Sequence, residues 1–220
     1  MAQLFRPGAN TLARLALLAI PGAPAAALLL MGATVRSGYV TGEGRVPNQP
    51  VPFSHQHHVG ELGLDCRYCH TSVETAAWPG MPPTHTCMTC HSQLYTKEDM
   101  LAPVRQSYAT GRPIQWKQIT ALPDYVYFDH HVHVNNGVPC AACHGNVASM
   151  PLMRQAKPLT MGWCLECHRD PAARVAPRDR VYDPEPYTPA KSAADAPELE
   201  RVRAHVASVK GLTECSTCHR

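Results

Sequence analysis

A loop-rich domain with few short helices, carried behind one long apolar helix, is the fold class that three features of this 220-residue sequence predict. The first is a pentapeptide, C-x-x-C-H, that occurs five times. Its copies are Cys66-Arg67-Tyr68-Cys69-His70, Cys87-Met88-Thr89-Cys90-His91, Cys140-Ala141-Ala142-Cys143-His144, Cys164-Leu165-Glu166-Cys167-His168 and Cys215-Ser216-Thr217-Cys218-His219. The second is composition: 21 prolines stand beside three phenylalanines and three tryptophans, too few large side chains for an ordinary core. The third is residues 15–35, an uncharged run behind an N-terminus that carries Arg6 and Arg14 and no acid.

The pentapeptide is the attachment signature of a covalently held c-type haem. Two thiols add across the vinyl groups, and the two-residue spacer lets both reach one porphyrin. The adjacent histidine then lies under the ring with a nitrogen aimed at iron. A zinc ribbon or iron–sulfur site also uses C-x-x-C pairs, but it does not require a histidine after each pair. All ten cysteines of the chain fall in the five motifs. The expected class is therefore a multihaem cytochrome c with five covalently attached haem c groups. Cys66, Cys69, Cys87, Cys90, Cys140, Cys143, Cys164, Cys167, Cys215 and Cys218 would carry the macrocycles, and His70, His91, His144, His168 and His219 would be the proximal iron ligands. Five flat apolar groups supply the surface that the side chains lack.

Charge excludes one class of partner. Twenty basic residues against 17 acidic ones give a net charge of +3, and the basic residues are scattered, so no nucleic-acid footprint is present.

Taken in order, residues 1–37 read as a cytoplasmic tip and transmembrane anchor. A helix over residues 15–35 would be about 31 Å long, enough for a hydrocarbon core of about 30 Å. The arginines before it keep the N-terminus inside and send the rest to the periplasmic side of the cytoplasmic membrane. Ala23-Pro24-Ala25 offers a signal-peptidase site, but Leu28, Leu29 and Leu30 continue the apolar run beyond it, which favours a retained anchor that Pro21 and Pro24 kink. Residues 38–52 read as a surface linker.

Residues 53–127 and 128–169 then form two di-haem modules, the first with a connector. They are betrayed by a repeat, F-x-H-x-x-H-V, in which Phe53, His55, His58 and Val59 match Phe128, His130, His133 and Val134. A haem motif follows the last of these histidines by eight residues in one copy and seven in the other. Histidines three apart on a helical turn diverge too much to chelate one iron, so His55, His58, His130 and His133 would cap four different irons. His57 and His131 have no registered partner and read as exposed or supporting residues. In the connector, Thr96-Lys97-Glu98-Asp99 reads as a helix start and Gly111 as its stop. Trp116, Tyr125, Tyr127 and Phe128 form an aromatic run expected to pack on haem faces.

Residues 170–220 read as an extended surface arm over 170–194, then a helix capped by Asp195 with Glu198 at its third position. The helix would bury Leu199, Val202, Val206 and Val209, end at Gly211, and deliver the fifth haem. Four registered histidines leave one iron in need of a donor. Met161 is preferred, because Gly162 beside it allows a close backbone approach and a thioether is a known axial ligand. His205, His85, Met150 and Met153 are the alternatives.

The stretches FSHQHHVGELGLDCRYCH, LPDYVYFDHHVHVNNGVPCAACHG and LTMGWCLECHR, with the single N-terminal span and the final CSTCHR, resemble the pentahaem cytochrome c subunit of alternative complex III. The resemblance covers nearly the whole chain. It implies an electron-transfer subunit, not an enzyme by itself, in a respiratory or photosynthetic quinol-oxidising complex. The implied partners are an iron–sulfur subunit, quinol-binding membrane subunits and a soluble periplasmic electron acceptor. The alternative is a membrane-anchored quinol dehydrogenase that oxidises quinol itself and feeds a periplasmic reductase. That alternative needs an iron with an open position facing the membrane. No catalytic constellation stands out in the residues themselves.

Overall fold

A computed structural model describes Arg6, residues 8–188 and residues 193–219. The chain divides into two compact units, residues 1–42 and residues 43–220. In the first unit, α1 (Ala9–Arg36) runs through Pro21 and Pro24 and buries no residue. It is long and apolar enough to cross a membrane. Arg36 occupies its last turn, where a cation complements the helix dipole. Extended backbone at Ser37 stops it, and a single turn, α2 (Gly38–Thr41), ends on left-handed Gly42.

The second unit contains no strand among its described residues. Each C-x-x-C-H motif forms a turn of helix, because residues three apart on such a turn share a face and so present both thiols together. These turns are α3 (Cys66–Cys69), α4 (Thr84–His91), α7 (Cys140–His144), α8 (Met161–Arg169) and α10 (Cys215–Cys218). Their starts are written locally. The Asp65 side chain accepts from the Arg67 amide at 2.8 Å, Thr160 accepts from Trp163, and Pro83 and Pro139 precede α4 and α7.

Four helices are added to these. Gln56–Glu61 is a short π-helical stretch, and α6 (His130–Asn135) is its counterpart in the second half. In the connector α5 spans Ala102–Thr110 and ends on left-handed Gly111 as expected, but it starts six residues after Thr96. Tyr95 adopts a positive φ of 53°, which turns the chain there, and a 3-10 turn (Asp99–Leu101) leads into the helix. Helix α9 (Ala196–Ser208) buries Leu199, Val202 and Val206.

Three expectations for the C-terminal third are corrected. Residues 170–188 are not a surface arm, and residues 189–192 of that expected arm lie outside the described residues. Val175, Ala176, Pro177 and Val181 are among the most buried residues of the chain, with Ala176 fully buried and Val181 at 1% exposure. Short 3-10 turns at Pro171–Ala173 and Arg178–Arg180 fold the segment inward. Val175 joins Leu199, Val202 and Val206 in one core cluster, and Val181 joins Val73 and Val134 in another. Asp195 stands before α9 but does not cap it, because its carboxylate accepts from Arg180 Nε at 3.2 Å. The helix also stops at Ser208 rather than at Gly211, leaving Val209 42% exposed. Left-handed Gly211 instead shapes the approach to α10, where its carbonyl accepts from Glu214 N and Thr217 Oγ1.

Gly137 shows how closely the turn after α6 meets the C-terminal third. Its φ is +83°, and a Cβ there would lie 2.6 Å from Val202 Cγ1 and 2.7 Å from the Ala176 carbonyl oxygen. The segment 43–52 is likewise held down: Gln49 exchanges hydrogen bonds with the backbone of Lys117, and Val51 is buried.

Candidate haem-binding sites

Three of the four histidines registered in the two F-x-H-x-x-H-V stretches face histidines of the C-x-x-C-H motifs. His130 and His144 have ring centres 6.4 Å apart, with planes only 7° from parallel. His133 faces His168 at 6.1 Å, and His58 faces His91 at 6.2 Å. Two imidazoles bound to one iron by bonds of about 2.0 Å, each with its ring centre about 1.1 Å behind the nitrogen, stand about 6.3 Å apart. All three pairs fit that requirement.

The ring nitrogens are oriented to match. His58 Nδ1 donates to the Ser54 carbonyl at 2.8 Å, His130 Nδ1 to Ala77 at 2.8 Å, and His133 Nδ1 to Asp129 at 2.7 Å. The motif histidines do the same: His70 to Gly80, His91 to Leu94, His168 to Leu212 and His219 to Tyr125, at 2.7–3.2 Å. An Nδ1–H fixed on a carbonyl leaves Nε2 as the free lone pair, the arrangement that a ligating imidazole needs. Phe128 packs on both His130 and His133, and Phe53 packs on both His55 and His58, so the repeated phenylalanine fixes the ring directions.

Burial keeps these groups neutral. It lowers the pKa of His58, His130 and His133, and it lowers His55 and His144 to about 4. Beyond burial, the largest influence on His55 is the charge of His70, and on His144 that of His130. Unprotonated nitrogen is the metal-binding form. His55 Nδ1 is buried without a hydrogen-bond partner. His57 and His131 differ from the others, since each turns its Nδ1 to a neighbouring acid, Glu61 and Asp129 respectively.

The thiols are free and spread along the domain. Among the described residues no group of three or more His, Cys, Asp or Glu converges as a directly coordinated metal ion would need. Burial raises Cys69 and Cys87 and pushes Cys143 up to about 12. The motifs nevertheless meet one another. Tyr68, inside the first motif, hydrogen-bonds Thr89, inside the second, at 2.9 Å. Cys66 Sγ lies 3.7 Å from the Tyr182 carbonyl, and the Cys140 amide donates to Val181, one residue earlier, at 3.0 Å.

Candidate donors for the fifth iron are dispersed. Met161 opens α8 and is 63% exposed, Met150 is buried, and His205 Nε2 hydrogen-bonds Asn136 Oδ1 at 2.9 Å. His219 has the Tyr125 ring beside it at 5.9 Å. The carbonyls that orient the histidines escaped sequence reading, since a backbone oxygen leaves no mark in residue identity. Tyr182 escaped it as well, because it lies in the segment read as an arm.

Residues 126–220 match the family model described as cytochrome c7 and related cytochrome c. Residues 40–112 match the class III cytochrome c family. The chain is also similar to the multihaem cytochrome c subunit of menaquinone reductase from Nitratidesulfovibrio vulgaris, at 34% identity over 97 residues. That alignment covers 44% of this chain and 45% of the relative, so the chain spans less than half of the relative's length. Both family matches lie on the stretches that hold the motifs and their facing histidines. In fold class the chain is a multihaem c-type cytochrome.

Proposed function

We propose that this chain is the membrane-anchored pentahaem subunit of a quinol-oxidising complex, relaying electrons to a periplasmic acceptor. The observation that carries this reading is the facing of histidines on both sides of at least three sites. Haem c supplies one-electron redox chemistry when held at such a site. Two imidazoles facing each other across such a site would hold the metal from both sides and leave no place for substrate, which supports relay rather than catalysis. His58 with His91, His130 with His144, and His133 with His168 would hold three irons. His55 with His70 would hold a fourth, and Met161 with His219 is the assignment for the fifth. The apolar helix α1 is the anchor, with the haem domain on the periplasmic side.

Alternative complex III is the finer identity we assign, with an iron–sulfur subunit and quinol-binding membrane subunits as partners. A second reading draws on the relative, which is a subunit of a menaquinone reductase. There the same relay would run the other way, delivering electrons to membrane quinone. Purification of the native complex under mild detergent tests both. Copurifying iron–sulfur and membrane subunits, with cytochrome reduction by added quinol, support the first. A complex that reduces menaquinone from a periplasmic donor and is not reduced by quinol supports the second. Quinol oxidation by the isolated chain would overturn the relay assignment.

A further inference from the structure

The five motifs are not arranged in space as they are in sequence. Contact between the second and the first is direct, through Tyr68 and Thr89 at 2.9 Å. The first meets the third on a shared dipeptide, with Cys66 against the Tyr182 carbonyl and Cys140 bonded to Val181. Val181 also packs on Val73, just after the first motif, and on Val134, in the helix that serves the third, with Cys140 and Tyr182 at the edge. His130, which faces His144 of the third motif, is pinned to the Ala77 carbonyl in the loop that follows His70.

The third and fourth motifs share helix α6, since His130 faces His144 and His133 faces His168. The fourth and fifth are joined where His168 donates to Leu212, three residues before Cys215. Tyr127 N donates to the Cys218 carbonyl, one residue before Phe128, which packs on His133. Exposure agrees with this row. Among the ten cysteines the two exposed ones are Cys90, in the second motif, and Cys215, in the fifth.

We infer that the haem motifs stand in the order second, first, third, fourth, fifth, and that partner proteins exchange electrons at the second and the fifth. An electron given by a reduced partner at one end leaves to an oxidised partner at the other, with the first, third and fourth motifs internal. This rests on the proposed occupancy of all five motifs.

Iron positions in the holoprotein, determined by cryo-electron microscopy of the native complex, test it. The expected result is that the second iron has the first as its nearest neighbour, the first has the second and third, and the fifth has only the fourth. Five irons in which the second lies nearest the third, or the fifth lies beside the first, overturn the order while leaving the occupancy intact. Fewer than five irons overturn the occupancy and with it the order. As an independent readout, low-temperature electron paramagnetic resonance would compare Cys87→Ser/Cys90→Ser with Cys140→Ser/Cys143→Ser. Loss of the second group should alter the spin coupling of one remaining iron, and loss of the third should alter that of two. Equal effects of the two variants overturn the order, and the native-complex positions decide it should either variant fail to assemble.

Discussion

The imidazoles of His130 and His144 lie within 7° of parallel with their centres 6.4 Å apart, although fourteen positions separate them in sequence. A pair so disposed fits the single iron site proposed for it, whereas His131, next to His130, is turned to Asp129. His130→Ala should convert about one fifth of the low-spin signal to high-spin, as one iron of five loses an axial nitrogen. His131→Ala should leave every iron low-spin. Electronic absorption and electron paramagnetic resonance of the two variants check the contrast, and a high-spin fraction in His131→Ala would reverse the assignment.

Haem number is the next expectation. Denatured mass spectrometry of the mature chain should show five haem additions, each retained without non-covalent contacts because thioether bonds hold it. A mass that accounts for four would mean that one of the motifs is not modified.

For Met161 the expectation is spectroscopic. A thioether on the fifth iron should give a near-infrared magnetic circular dichroism band distinct from bis-histidine haem, and should raise that potential above its neighbours. Met161→Leu should abolish the band. Persistence of the band, or its absence from the native protein, would assign the ligand elsewhere.

Gly137 gives a stability expectation. Gly137→Ala places a Cβ 2.6 Å from Val202 and 2.7 Å from the Ala176 carbonyl, on backbone with φ +83°. Left-handed backbone costs a non-glycine residue about 1–2 kcal/mol, and overpacking adds about 1–3 kcal/mol. Thermal unfolding should fall by about 2–4 °C for each kcal/mol lost in a chain of this size. Gly63→Ala is the control, because its Cβ meets nothing within 4 Å and it shares the positive φ. It should lose only the backbone contribution.

The anchor expectation concerns processing. N-terminal sequencing of the mature protein should find the residues that precede α1, and the protein should stay with membranes after alkaline carbonate washing. A chain beginning near Ala26 and released by the wash would make the residues before Ala26 a signal peptide.

What could be read from sequence divides along a physical line. The C-x-x-C-H turns and the F-x-H-x-x-H-V repeat were legible because their chemistry is carried by side-chain identity at short spacing. Helix α9 was legible as well, since Leu199, Val202 and Val206 recur at the helical period. The burial of Val175, Ala176 and Val181 was not, because small residues among prolines look the same inside and outside a fold. Nor was the role of Asp195, whose local pattern is that of a cap but whose carboxylate is engaged by Arg180. The meeting of Tyr68 with Thr89, or of Cys66 and Cys140 on residues 181–182, depends on long-range closure that no local spacing encodes.

The dipeptide Val181–Tyr182 lies downstream of both cysteines that it touches, 41 residues after Cys140 and 116 after Cys66. This imposes a timetable on maturation. As the chain is made from its N-terminus, the first four motifs emerge before the segment that will close over two of them. Thiol addition to the porphyrin can proceed on an open chain during that interval. Once Val181 is seated against Val73 and Val134, Cys66 and Cys140 are held half-buried beside residues 181–182. The last third of the chain thus works as a latch, and the order in which it emerges favours loading before locking.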